Sequence, residues 1–244
     1  MKKGITKILS ACVFAFVVFL AAGTQSKAAV NMGVKQTGAG SSYVDLAWDA
    51  QLGAGHYHTQ FSQDGKNWID MDNSSSPSES VYNLTQGASY YARVVAYKGS
   101  HYTGTHVMIG VSETAIVSTK PTEVSGLTQT AAGVNSVSMS WNASAGAASY
   151  VIYGYINYNW TQIGTSATNS ATITGVAATT STRFSVAAVK NVTGGTVTGD
   201  QCSGVEMKAI PIKVSRIAMQ YYWDSLKEAK YIWTDVNNAD GYQY

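Results

Sequence analysis

The chain has 244 residues, of which 12 % are charged, 23 are glycine, 16 are tyrosine and only 3 are proline. Its formal net charge is +2, but four lysines lie before residue 29, so the remainder carries −2. That balance leaves no clustered Lys and Arg for a nucleic-acid backbone, and a surface solvated by Ser, Thr, Asn, Gln and Tyr suits an exported all-β protein.

Residues 1–28 read as a secretory signal peptide. Lys2, Lys3 and Lys7 precede an uncharged apolar run over 8–22, and Ser26 and Ala28 set small residues where a signal peptidase cuts. The run falls short of the ~20 residues a membrane span needs, so no membrane association is expected beyond this segment; an uncleaved anchor is the alternative. Leu9-Ser10-Ala11-Cys12 has the shape of a lipobox, yet most of the apolar run follows the cysteine, so Cys12 belongs to the apolar segment. Cys202 is then the sole cysteine of the mature chain, which excludes a disulfide framework. It is expected to be half-buried before the last strand of its domain.

An internal repeat organises the rest. Trp48, Trp141 and Trp233 stand 93 and 92 residues apart, each followed six positions later by alanine (Ala54, Ala147, Ala239) and nine later by tyrosine (Tyr57, Tyr150, Tyr242). Val44-Asp45-Leu46-Ala47 and Val137-Ser138-Met139-Ser140 alternate ahead of the first two tryptophans, the period of a half-buried strand. Asp64-Gly65 between Phe61 and Trp68 predicts a type I′ hairpin turn, and Gly194-Gly195 predicts another before the last strand of the second unit. Pro121 and Pro211, each followed by Val-Ser at the same offset, mark seams where strand pairing stops. The expected domains are 30–120, 121–210 and a third unit over 211–244. Residues 225–230 could form a helical turn, but the repeat makes Ala229, Tyr231 and Trp233 the inward face of a strand.

These residues resemble the fibronectin type III family. A strand-B tryptophan, a tyrosine opening strand C and a Leu-x5-Tyr corner into strand F mark that family, and here the corner runs from Leu84 to Tyr90 and continues Tyr91-Ala92-Arg93-Val94. The resemblance implies an all-β fold of tandem immunoglobulin-like, seven-stranded β-sandwiches in a secreted bacterial protein: two complete repeats and a truncated third, holding strands A, B and the start of C before Tyr244. Thr182 stands at the corner position of the second unit, so that domain is expected to be the looser. The family also implies a non-catalytic spacer or interaction role at the cell surface. The alternative is the accessory region of a larger extracellular polysaccharide-degrading enzyme whose catalytic module lies beyond Tyr244.

Residues for catalysis are not evident. There is no G-x-S-x-G elbow, H-E-x-x-H, phosphate loop or dinucleotide fingerprint, and no cofactor or enzymatic activity is expected. His56 and His58 lie two apart on strand C, on the face opposite Tyr57 and Phe61, with His101 and His106 in the loop between strands F and G. They are read as solvated surface histidines, a zinc or nickel site being the alternative. In the run from Tyr150 to Trp160, Tyr150 and Ile152 point inward. Tyr153 and Tyr155 then face outward, and Tyr158 and Trp160 follow around the next hairpin. Coplanar exposed rings there would anchor an extracellular protein or polysaccharide; the plain alternative is cross-strand aromatic pairing.

Overall fold

The computed structural model describes residues 29–99, 106–177, 181–211, 216–223, 225 and 227–233. The expected signal peptide, His101, Ala239 and Tyr242 lie outside them. The described residues contain no helix, because their apolar side chains recur at period two rather than as a helical stripe.

In the first sandwich, β3 (Val44–Ala47) turns Val44 and Leu46 inward and pairs with β2 (Lys35–Ala39) and β6 (Ser78–Val81). The facing sheet runs β5 (Ile69–Ser74), β4 (His56–Ser62), β7 (Ser89–Lys98), β8 (Val107–Ser112). The next strand, β9 (Ala115–Ser118), takes up the rest of the β7 edge, so β8 and β9 form one interrupted strand. The short β1 (Ala29–Val30) adds in parallel to β8. Between the sheets lie Leu46, Trp48, Tyr57, Phe61, Tyr90 and Val94, all buried, each worth roughly 1.5–3 kcal/mol of transfer free energy for the aliphatic and phenyl side chains.

The second sandwich repeats this order. β10 (Thr128–Gly133), β11 (Ser136–Ser140) and β14 (Ser170–Thr174) form one sheet. β13 (Asn159–Ser166), β12 (Ser149–Ile156) and β15 (Thr182–Val192) form the other, with β16 (Gly195–Thr198) and β17 (Val205–Met207) sharing the far edge of β15. Counting β8–β9 and β16–β17 each as one interrupted strand, both sandwiches set three antiparallel strands against four, with β1 added to the first, so the described residues are all-β, a tandem of immunoglobulin-like sandwiches.

The repeated Trp-x5-Ala-x2-Tyr has a physical cause. The tyrosine ring meets the tryptophan edge-on at 5.4 Å and 66° in the first unit and at 5.2 Å and 67° in the second. Its hydroxyl accepts the backbone N–H of Gln51 or Ser144, both at 3.0 Å. The alanine closes the intervening turn by donating to that same residue's carbonyl, Gln51 at 3.0 Å and Ser144 at 3.1 Å. One aromatic pair thus fixes strand B to strand C and satisfies the loop between them. The family corner is also built: the Tyr90 hydroxyl accepts the Thr85 N–H at 3.0 Å.

Several local expectations change. Asp64-Gly65 is not a type I′ turn. Gly65 alone has positive φ (72°), and six residues separate β4 from β5, so the Asp64 carboxylate closes the loop instead by accepting the N–H groups of Lys66 and Asn67, each at 2.8 Å. Cys202 is buried rather than half-buried; its sulfur accepts the Val186 N–H at 3.2 Å and Ser185 Oγ donates to its carbonyl at 2.7 Å. In the third unit, β18 (Ile217–Trp223) pairs with β19 (Glu228–Trp233). The residues expected to face inward there, Ala229, Tyr231 and Trp233, are exposed, because no facing sheet is among the described residues and a lone hairpin cannot enclose a face.

The two sandwiches meet over a polar junction. Ile116 on β9 donates its N–H to Thr193 Oγ1 at 2.7 Å, and Thr193 returns its own N–H to the Ile116 carbonyl at 2.8 Å. Lys120 pairs with Asp200 at 2.7 Å. The Lys190 ammonium, buried at the seam, donates to the Gly87 carbonyl, and burial lowers its pKa from the ordinary lysine value.

Candidate functional site

Two surfaces carry the side chains singled out from the sequence. The first is the outer face of the β5-β4-β7-β8 sheet. Residues i and i+2 of a strand share a face, so β4 sets His56 and His58 together, opposite Tyr57 and Phe61. They are not solvated as expected: His56 is 3 % exposed, and the His58 side chain is 16 % exposed. Tyr97, paired across from His56 on β7, stacks on its ring at 5.1 Å and 9°, and His106 stands edge-on to His56 at 5.4 Å. The cross-strand neighbour and the strand-entry histidine cover what one strand alone would leave open.

A charged chain extends from this cluster. His58 Nδ1 lies 4.0 Å from Asp70 Oδ2, Gln60 Nε2 donates to Asp70 Oδ1 at 2.6 Å, and Arg93 Nε donates to Gln60 Oε1 at 2.7 Å while its guanidinium sits 4.1 Å over the Trp68 ring. Burial lowers the Arg93 pKa, opposed by Asp70, and burial together with Asp70 raises that of the Tyr97 phenol. Among the described residues, no three of His, Cys, Asp and Glu are already gathered as a metal-binding group.

The second surface is the tip of the β12–β13 hairpin. Tyr150 and Ile152 are buried and Tyr153 is half-buried. Tyr155 lies directly across from Trp160, their rings 5.3 Å apart at 62°. The expected coplanar rings are therefore not formed by this pair. Trp160 is held against Gly204, where an added Cβ would fall 2.8 Å from the indole. The connecting residues Asn157 and Tyr158 have φ of 50° and 64°, the type I′ geometry, and Tyr158 is 90 % exposed. Together with Ile156, these side chains form a contiguous exposed aromatic and apolar tip. The hairpin was expected from the sequence but not its turn type, because a tyrosine occupies the position where glycine is the usual signal.

A shallow cleft of about 250 Å³ opens at the junction between β2 and β16, lined by Gln36, Gly38, Lys120, Thr196 and Thr198 among others. No carboxylate, histidine or cysteine lines it.

No protein-family model matches the chain, and no curated protein matches it. Similar solved structures include the FN1–FN3 domains of chicken CNTN1, 14 % identical, covering 75 % of this chain and 68 % of that one with a TM-score of 0.42. A two-domain fibronectin type III segment of chicken tenascin is 17 % identical over 72 % of this chain and 97 % of its own, with a TM-score of 0.36. The twitchin kinase region of C. elegans is 18 % identical over 37 % of this chain and 17 % of its own, with a TM-score of 0.32. The fold class rests on the sheet order described above.

Proposed function

We propose that the chain is a non-catalytic extracellular module in which two stiffly joined sandwiches present the β12–β13 tip to a protein partner at the cell surface. The observation that carries this reading is Tyr158: a bulky aromatic side chain held in left-handed backbone geometry and turned out to solvent. Neither folding nor the core gains from that choice, whereas exposed Tyr and Trp with rigid side chains are the residues that anchor interfaces. The 62° between Tyr155 and Trp160 favours a shaped protein surface over a polysaccharide, whose sugar rings stack best on parallel aromatic faces.

Binding of the full chain to arrayed extracellular proteins and to polysaccharides tests this, with Tyr158→Gly and Trp160→Ala measured beside it. The expected result is a protein ligand whose affinity falls at least tenfold in both variants, matching the roughly 2 kcal/mol that an interface anchor contributes, with Tyr158→Gly melting no lower than the parent. A ligand indifferent to both substitutions would refute the tip as the interaction site, and a tip-dependent polysaccharide would replace the protein partner.

A further inference from the structure

We propose that His56, His58 and His106 form a binding site for a divalent transition metal, with zinc as the reference ion. The three ring centres are 5.4, 5.4 and 6.2 Å apart. Three imidazoles bound to one tetrahedral ion at 2.0–2.1 Å per nitrogen have ring centres about 5 Å apart. The separations are thus within about an ångström of a loaded site, and side-chain rotation supplies the difference. The described residues hold no ready-made group, so binding requires the rings to turn until their nitrogens converge.

The tautomers also suit a metal. A carbonyl only accepts, so His56 Nδ1, 3.0 Å from the Gly99 carbonyl, carries the proton, and the neutral ring keeps its lone pair on Nε2. His58 turns its Nδ1 toward Asp70 in the same sense. Metal-binding histidines characteristically give the far ring nitrogen to a carbonyl or carboxylate in this way. Both Nε2 atoms are enclosed, whereas His106 is exposed at the rim, which gives an ion a way in. An all-imidazole set selects zinc, copper or nickel over magnesium or calcium, which take oxygen ligands.

The full chain, stripped with EDTA, is titrated with zinc chloride by calorimetry and melted with and without the ion in a non-chelating buffer. One zinc per chain and a higher Tm are expected, since an ion that binds only the folded state stabilises it by mass action, and magnesium should do neither. His58→Phe and His106→Phe keep a ring in the cluster, so each should melt like the parent without zinc and lose at least tenfold in zinc affinity. A wild-type Tm indifferent to zinc would overturn the site. So would a zinc response that survives in the double variant, and the cluster would then be ring packing alone.

Discussion

At Tyr158 the backbone holds a conformation that costs an L-residue about 1–2 kcal/mol, because Cβ crowds the following carbonyl. Tyr158→Gly removes that cost and gives back part of it in unfolded-chain entropy, so the variant should be about 1 kcal/mol more stable in urea unfolding while losing partner binding. A less stable variant would show that the ring supports the fold instead. Asp64 makes a different kind of contribution. Its carboxylate accepts N–H groups of Asn67 and Lys66 and the Ser62 hydroxyl, and these bonds hold its pKa well below the usual carboxylate range. A depressed folded pKa stabilises above the unfolded value and is lost as pH falls toward the folded one. The stability gap between wild type and Asp64→Ala should therefore be full at pH 7 and narrow from about pH 4 downward; a gap independent of pH would show that the loop is closed by its backbone. Asp64-Gly65 was legible as a turn but not by type, since residue pairs report φ preferences while loop length is set by where β5 resumes pairing.

Strand identity was the most legible part of the molecule, and the two cores show why. Val44 and Leu46 in one, Val137 and Met139 in the other, repeat a period-two pattern that only a sheet can bury. The aromatic pair that follows is equally matched, so Tyr57→Phe and Tyr150→Phe should each cost about 1 kcal/mol, the net worth of one hydrogen bond, by leaving the N–H of Gln51 or Ser144 without its acceptor. Unequal costs in chemical denaturation would mean that one loop has another way to satisfy its amide. Tyr90→Phe should cost as much through Thr85, while Thr182, at the equivalent place in the second unit, offers no phenol to remove. The histidine cluster was legible only in part. Alternation puts His56 and His58 on the outer face, but what covers that face is Tyr97, which lies 41 residues beyond His56 and is brought opposite it by register, and no local pattern announces it.

At the scale of the whole molecule, function as a presenting module depends on whether the two sandwiches move as one body. Pro121 marks the seam in the sequence, but the bonds that stiffen it join residues far apart, such as Lys190 and Gly87, 103 positions from each other, and so were invisible there. Their contribution is geometric more than energetic. Exposed polar contacts like Lys120–Asp200 are each worth only about 0–1 kcal/mol, yet three residue pairs around a seam restrain bend and twist together. Lys190→Met keeps the apolar stem along the interface and removes the donor, and Thr193→Ala removes the acceptor for Ile116. The double variant should leave each domain's unfolding within about 1 kcal/mol of wild type, since neither core is touched. Small-angle X-ray scattering should at the same time show a wider spread of interdomain angles. If the scattering profile stays that of the parent, the short linker rather than the polar seam sets the geometry, and the β12–β13 tip is aimed by covalent connection alone.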